Sequence, residues 1–190
     1  MIDRYVLILF IVFVSIVSCK NKDDQIKYEA IGYFETEYTM QTGAPRQGML
    51  INDAKGVITL KEEYVKGLDY LSSFDYIWVI YHFNEAEGWQ NEVNPPDSDH
   101  EFGVFATRSP RRPNPIGLSL IKLEKIDGNK LYVSNVDAFN GTPILDIKPY
   151  LPSIDDVVSI KNMEAEIYLG HHDTDFLNDS LVKEFVKGEK

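Results

Sequence analysis

Phe74-Asp-Tyr-Ile-Trp-Val-Ile-Tyr-His-Phe83 is the strongest strand signal in the chain, aromatic and β-branched nearly throughout, and it reads as a central strand. Working outward from it, the neighbouring segments are also strand-like, short and separated by turn chemistry. Upstream, Ile26 to Phe34 alternates loosely and reads as a first strand. Gly43-Ala44-Pro45-Arg46-Gln47-Gly48 is a loop bracketed by glycines. Met49 to Ile51 and Val57 to Leu60 read as short strands, with turn residues from Asn52 to Gly56 between them. Lys61 to Leu71 is expected to form a short helix carrying Tyr64, Leu68 and Leu71 on one side.

Downstream of the central strand, Asn84 to His100 is a long polar loop containing Pro95-Pro96. Loops of that length inside a compact domain are usually functional or mobile. Gly103 to Ala106 read as the end of a buried strand. Ile116 to Ile126 and Lys130 to Val136 flank Asp127-Gly128-Asn129, a tight hairpin signal. Phe139 to Pro143 is a sharp loop before Ile144 to Ile147. Asp173 or Thr174 is placed to cap a helix bearing Leu177, Leu181, Val182, Phe185 and Val186, with Gly188 as its stop. Many short strands with few helices predict an all-β dominated fold, a small β-barrel with short helices and a C-terminal helix.

Length and composition bound the rest. The chain has 190 residues, 44% of them hydrophobic, enough for one globular domain with attachments. Its formal charge of −11 argues against non-specific nucleic-acid binding over the whole surface, although a local basic site is still allowed. The charge is uneven: Asp155 to Lys190 holds nine acids against four bases. The expected organisation is a leader at 1–18, a tether at 19–25, a barrel domain at 26–154 and a C-terminal extension at 155–190.

The leader reading rests on Val6 to Val17, a nearly unbroken apolar run whose length suits a signal peptide and falls short of a bilayer span. The run ends in Ile16-Val17-Ser18-Cys19, and Cys19 is the single cysteine of the chain. This resembles a bacterial lipoprotein cleavage box, in which the cysteine is lipidated and would hold the protein at the cell envelope. The plainer alternative is a short membrane-associating leader with an incidental thiol. With no second cysteine the domain forms no internal disulfide, so packing must stabilise it.

Chemistry concentrates between Gly103 and Ser119. Arg108, Arg111 and Arg112 stand among Pro110, Pro113 and Pro115 with no acidic residue between them. Proline fixes φ and restricts the residue before it, so the loop is stiff and extended. Like charges held close together suit an anionic or planar polar ligand. The same arginines would also serve as an ordinary surface loop paired with nearby carboxylates. The chain lacks a strand–GxGxxG–helix unit and a nucleophile elbow. His171-His172-Asp173 is a weak metal candidate, since adjacent histidines on an acidic turn are usually solvated, and no metal is expected. His82 reads as a core or rim residue of the central strand.

Taken together, Gly-Val-Phe-Ala-Thr-Arg-Ser-Pro-x-Arg-Pro-Asn-Pro-Ile-Gly-Leu-Ser from Gly103, then Asn135-Val136-Asp137, then Gly-Thr-Pro-x-Leu-Asp-Ile-Lys-Pro-Tyr from Gly141, resemble the TsaA-like family. The similarity runs from about Ile26 to Ile154. It implies a small β-barrel, usually dimeric, and an S-adenosylmethionine-dependent methyltransferase acting on threonylcarbamoyladenosine in tRNA. By the resemblance, the cofactor contacts are Pro45, Arg46, Gln47, Asn84, Glu85, Arg108, Leu118 and the loop of Asp137, Ala138, Phe139 and Asn140. Asn84 and Glu85 stand where tRNA-modifying members often carry His-Gln, and Asn140-Gly141 replaces a common Asp-Gly. Both departures bear on substrate choice.

Methyl transfer to a threonylcarbamoyl nitrogen calls for positioning of the reactants and for a general base. Asp137 and Asp146 are the candidate bases, each with an ordinary loop-capping role as its alternative. Arg111, Arg112 and Lys148 are expected to meet RNA phosphates. Two functional readings follow. One is a methyltransferase acting on tRNA, as a homodimer. The other is a lipid-anchored envelope protein that uses the same barrel to bind a small ligand.

Overall fold

A computed structural model describes residues 26–50, 54–96 and 98–157, with scattered positions between 159 and 169. The barrel strands are β1 (Gly32–Glu35), β2 (Lys55–Leu60), β3 (Tyr76–His82), β6 (Ile116–Asp127), β7 (Lys130–Ser134) and β8 (Pro143–Pro149). They close in the order β1-β2-β7-β6-β3-β8, every pairing antiparallel. A separate two-stranded ribbon pairs β4 (Glu92–Val93) with β5 (Phe102–Gly103). The β-barrel expected from the strand pattern is the fold observed.

Strand β3 is central, paired along its length with β6 on one side and β8 on the other. Strict alternation sends Ile77, Val79 and Tyr81 into the barrel and turns Trp78, Ile80 and His82 outward. Phe34, Ile58, Ile77, Ile121, Leu131 and Ile144 fill the interior and are almost wholly removed from water. Each such side chain contributes roughly 1.5–3 kcal/mol by burial. The hairpin between β6 and β7 turns at Gly128, whose φ of +60° is one glycine adopts without strain. Register shifts at Ile80/Tyr81 and at Leu123/Lys125 mark bulges that help bend long strands into a closed cylinder.

Several expectations change in detail. Gly103 to Ala106 is not the end of a buried strand, since only Phe102–Gly103 is strand and Val104–Ala106 is a 3-10 turn with Phe105 exposed. Met49 and Leu50 are not in a strand: Gly48–Leu50 forms a 3-10 turn with Gly48 pressed against Asn135, and Ile51 lies outside the described residues. The helix expected over Lys61 to Leu71 is two 3-10 pieces, Glu62–Leu68 and Leu71–Ser73. That segment has Gly67 in its interior and no side-chain N-cap, while Leu68 and Leu71 still pack against the core. The first strand begins only at Gly32, leaving Ile26 and Tyr28 exposed. The leader and tether with Cys19, the His171-His172-Asp173 cluster and the expected terminal helix lie outside the described residues. Among the described residues, no helix is long and apolar enough to cross a membrane.

The strand directions determine where function sits. Because all pairings are antiparallel, the C-terminal ends of β1, β3 and β7 share one end of the barrel with the N-terminal ends of β2, β6 and β8. The loops at 36–54, 83–115 and 135–142 therefore converge on one mouth. These loops carry Pro45-Arg46-Gln47, the arginines and Asp137.

Candidate functional site

Asp137 is the polar centre of the mouth. Past the end of β7 the chain continues antiparallel to the first half of β6, which brings Asp137 beside Ser119. The Ser119 hydroxyl donates to Asp137 Oδ1 at 2.7 Å. The Tyr81 hydroxyl stands 3.1 Å from Ser119 Oγ and 3.5 Å from the same carboxylate oxygen. On the other side, the Gly48 backbone N–H donates to Oδ2 at 3.3 Å. Burial pushes the Asp137 carboxyl above its ordinary value, while the donors from Ser119, Gly48 and Tyr81 act in the opposite sense. Burial likewise raises the Tyr81 phenol, with the Asp137 charge adding to the effect, so it stays protonated and able to donate.

The loop holding Pro45, Arg46 and Gln47 is docked onto this centre. Gly48 is its fixed end, and a β-carbon there would lie 1.8 Å from the Asn135 carbonyl oxygen. Asn135 itself has a φ of 63°. At the other side of the loop, Gln47 Oε1 accepts a hydrogen bond from Arg108 Nη1 at 2.5 Å, and Gln47 Nε2 donates to the Arg46 carbonyl at 2.8 Å. The mouth thus joins segments far apart in sequence, residues 45–48, 108 and 137, through side-chain hydrogen bonds.

The arginines divide by role. Arg112 is half-buried, and its Nη1 donates to the carbonyls of Thr107 at 2.8 Å and Val104 at 3.1 Å. Its guanidinium also lies 5.6 Å from the centre of the Phe105 ring. It therefore folds its own loop, a role the sequence did not suggest. Arg111 is exposed, and its carbonyl accepts the Gln90 N–H at 3.3 Å.

The remaining expected residues spread over two surfaces. Ala138 is buried, and its carbonyl accepts Thr36 Oγ1 at 3.1 Å; Asn140 Oδ1 accepts the Thr36 N–H at 3.2 Å. Phe139 lies half-buried between them. Asn84 and Glu85 form the exposed turn after β3, with Asn84 Nδ2 donating to Glu85 Oε1 at 2.8 Å. Leu118 is 53% exposed on the outer face of β6, between inward-facing Gly117 and Ser119. Asp146 also lies on the outer face, opposite Ile80, where Lys148 Nζ pairs with it at 2.6 Å and the Ile147 N–H donates to it at 2.9 Å. The structure thus brings Gln47, Arg108 and Asp137 together, and sets Leu118, Asp146 and Lys148 outside the cylinder.

Residues 33–156 match the family described as the tRNA-methyltransferase O N-terminal domain. The chain belongs to that family. Among relatives, the S-adenosyl-L-methionine-binding protein of Archaeoglobus fulgidus is 39% identical over 134 residues, 70% of this chain and 96% of the relative. The tRNA (adenine(37)-N6)-methyltransferase of Rattus norvegicus is 36% identical over 145 residues, 73% of this chain but 33% of the relative. The crystal structure of TrmO from Pseudomonas aeruginosa matches at a TM-score of 0.63 and 33% identity, covering 73% of this chain and 61% of that one. This chain thus spans about a third of the rat relative's length.

Within the family's matched region, reasoning from sequence missed several residues. Tyr81 and Ser119 read as strand positions, and nothing local marked them as polar partners of Asp137. Gly117 is the exception that carried a signal, since a glycine inside a strand indicates a close approach. A β-carbon on it would lie 2.3 Å from the Tyr81 ring. Trp89 and Phe105, 54% and 77% exposed, flank the ribbon near Arg111.

Proposed function

We propose that this domain binds S-adenosylmethionine at the barrel mouth and transfers its methyl group to a nitrogen on a modified adenosine of tRNA. The observation that supports this most directly is the hydrogen-bonded junction of Gln47, Arg108, Gly48 and Asp137 in a chain of this family. The donor set fits the ligand. Arg108 and Gln47 offer a guanidinium and an amide to polar edges, and the Asp137 carboxylate offers an acceptor to a hydroxyl or to a positive centre. Pro45, Arg46, Ala138, Phe139 and Asn140 line the same end of the barrel and complete the proposed cofactor contacts. Asn84 and Glu85, on the turn after β3, are assigned to the rim.

Bound there, the cofactor supplies an electrophilic methyl on a cationic sulfonium. The chain's own part is to hold donor and acceptor in line and to take a proton from the nitrogen. Asp137 is better suited to that proton than Asp146. It faces the mouth with its carboxyl raised by burial, whereas Asp146 is exposed on the outer wall beside Lys148. For RNA, Arg111 meets phosphate while exposed Trp89 and Phe105 offer faces for unpaired bases. Arg112 acts by shaping the loop, and Lys148 lies on the outer wall with Leu118.

That outer wall, with Ile80, Ile116 and Leu118 side by side on β3 and β6, is the surface we assign to a second copy of the chain. Light scattering of Leu118→Glu against wild type tests it: a wild type that is monomeric, or a variant that stays dimeric, overturns the assignment. The attachment of Cys19 to lipid is a separate proposal and rests on the leader pattern alone. Export would part the domain from cytosolic tRNA, so metabolic lipid labelling with fractionation decides between the two compartments.

The test of function itself is titration calorimetry of the full chain with S-adenosylmethionine, followed by methyl transfer to tRNA. Saturable binding is expected, and lost in Asp137→Ala and Arg108→Ala. No binding at millimolar cofactor overturns the reading.

A further inference from the structure

The barrel interior is apolar except at its mouth, where Tyr81 and Ser119 turn inward from neighbouring strands and meet Asp137. Ser119 is buried and lies at hydrogen-bond distance from both partners, 2.7 Å from Asp137 Oδ1 and 3.1 Å from the Tyr81 hydroxyl. A serine hydroxyl has one proton. The short contact to a carboxylate is where that proton belongs, so Ser119 donates to Asp137 and accepts from Tyr81. The result is a chain of donors, Tyr81 to Ser119 to Asp137, in which each bond polarises the next.

The backbone is shaped to allow this chain. The Tyr81 ring lies over Gly117, where any side chain would collide with it, and is held edge-on by Phe34 at 5.8 Å and Phe83 at 5.2 Å. Ile116-Gly117-Leu118-Ser119 thereby acquires a reason for its composition. Gly117 leaves room for the phenol ring, Ser119 passes the hydrogen bond on, and Leu118 alternates to the outer wall.

We propose that Tyr81 and Ser119 are positioning residues for Asp137, fixing its carboxylate with Oδ1 spent on the hydroxyl chain and Oδ2 turned toward Gly48 and the Pro45–Gln47 loop. This rests on the reading of Asp137 as part of the cofactor site. It assigns Oδ2 as the oxygen that meets a ligand, since Oδ1 accepts the Ser119 proton and has the Tyr81 phenol crowded against it at 3.5 Å, while Oδ2 takes the longer Gly48 N–H contact at 3.3 Å on the loop side. The groups facing the carboxylate are the Tyr81 phenol from β3, the Ser119 hydroxyl from β6 and the Gly48 N–H from the loop. Arg108 is the nearby cation acting on Tyr81.

Ser119→Ala, Ser119→Thr and Tyr81→Phe in the full chain test the assignment with two readouts. The first is a carbon-13 carboxyl titration of Asp137 by NMR without any ligand. The second is S-adenosylmethionine affinity by calorimetry. Loss of a donor to the anion should make Asp137 titrate at higher pH in Ser119→Ala, with Ser119→Thr restoring the wild-type titration. Affinity should fall roughly tenfold in Ser119→Ala, and by less in Tyr81→Phe. Unchanged titration and affinity in both Ser119→Ala and Tyr81→Phe overturn the proposal. So does a lower melting point with the Asp137 titration unmoved, which would make the pair merely structural. A shifted titration in a wild-type background that never binds the cofactor upholds the positioning role and overturns the proposed function instead.

Discussion

Gly48 lies so close to Asn135 that a β-carbon on it would stand 1.8 Å from the Asn135 carbonyl oxygen and 2.4 Å from its carbonyl carbon. Both neighbours are backbone, which cannot step aside as a flexible side chain would. The same residue donates its N–H to Asp137, so one glycine joins the loop at 45–48 to the segment at 135–137. Gly48→Ala is therefore expected to lift the loop off the barrel. The cost should be about 1–3 kcal/mol of stability, seen as a lower denaturant midpoint, together with loss of cofactor binding. An alanine variant that binds as wild type would show that the loop needs no such docking.

Gly117→Ala acts on the opposite wall of the mouth. Its new methyl would meet the Tyr81 ring at 2.3 Å, and the ring is already boxed in by Phe34 and Phe83. Overpacking of this kind costs about 1–3 kcal/mol. Tyr81 fluorescence and the melting temperature should change together, and combining the change with Tyr81→Ala should recover part of the loss.

The acid–base behaviour of Asp137 can be separated from that of the rest of the chain. Its folded-state carboxyl is raised above the ordinary 3.8 by burial. In the window above that value the unfolded chain has released this proton while the native one still holds it. Stability from this group is thus fully present at low pH and falls as pH rises toward the raised native value. Asp137→Asn removes that slope. The stability difference between variant and wild type should move in the variant's favour between acid and neutral pH, measured by urea unfolding at several pH values. A difference that is flat with pH contradicts the burial of this carboxyl.

Arg111 and Arg112 are neighbours with opposite expectations. Arg112→Ala frees the carbonyls of Val104 and Thr107 and should loosen the whole arginine loop, reducing affinity for cofactor and RNA alike. Arg111→Ala should leave melting and cofactor affinity untouched and weaken RNA binding, with a smaller dependence on salt. Filter binding of tRNA at two salt concentrations distinguishes them.

Lys148→Ala removes a 2.6 Å ion pair whose partners are both well exposed. Such pairs contribute about 0–1 kcal/mol, so neither stability nor cofactor affinity should change measurably. A large loss of methyl transfer would restore Asp146 as a candidate base.

What could be read from the sequence followed the range of the interaction. Strand β3 and the hairpin at Gly128 declare themselves through local alternation and a positive φ, so the barrel was legible. The mouth loops were legible as well, because proline, glycine and arginine accumulate there for reasons visible within a few residues. The polar partners of Asp137 were not. Tyr81, Ser119 and Asp137 are far apart along the chain, and a tyrosine or serine inside an apolar strand carries no local mark of its partner. Arg112 shows the same point: a guanidinium bound to its own loop and one offered to phosphate have the same sequence. Met49 and Leu50 looked like strand residues by type, and they follow Gly48, whose close approach to a distant backbone sets a 3-10 turn instead.

Strand β8 completes the cylinder by pairing with β3 along its length and with β1 only through Gly32–Ile144 and Tyr33–Pro143. Among the described residues, the closing seam is thus made by the last barrel strand in chain order, and β1 must wait for it across more than a hundred residues. No amino-terminal portion of the domain can close early, so a nascent or truncated chain ending before Pro143 presents β1 and β3 with open edges.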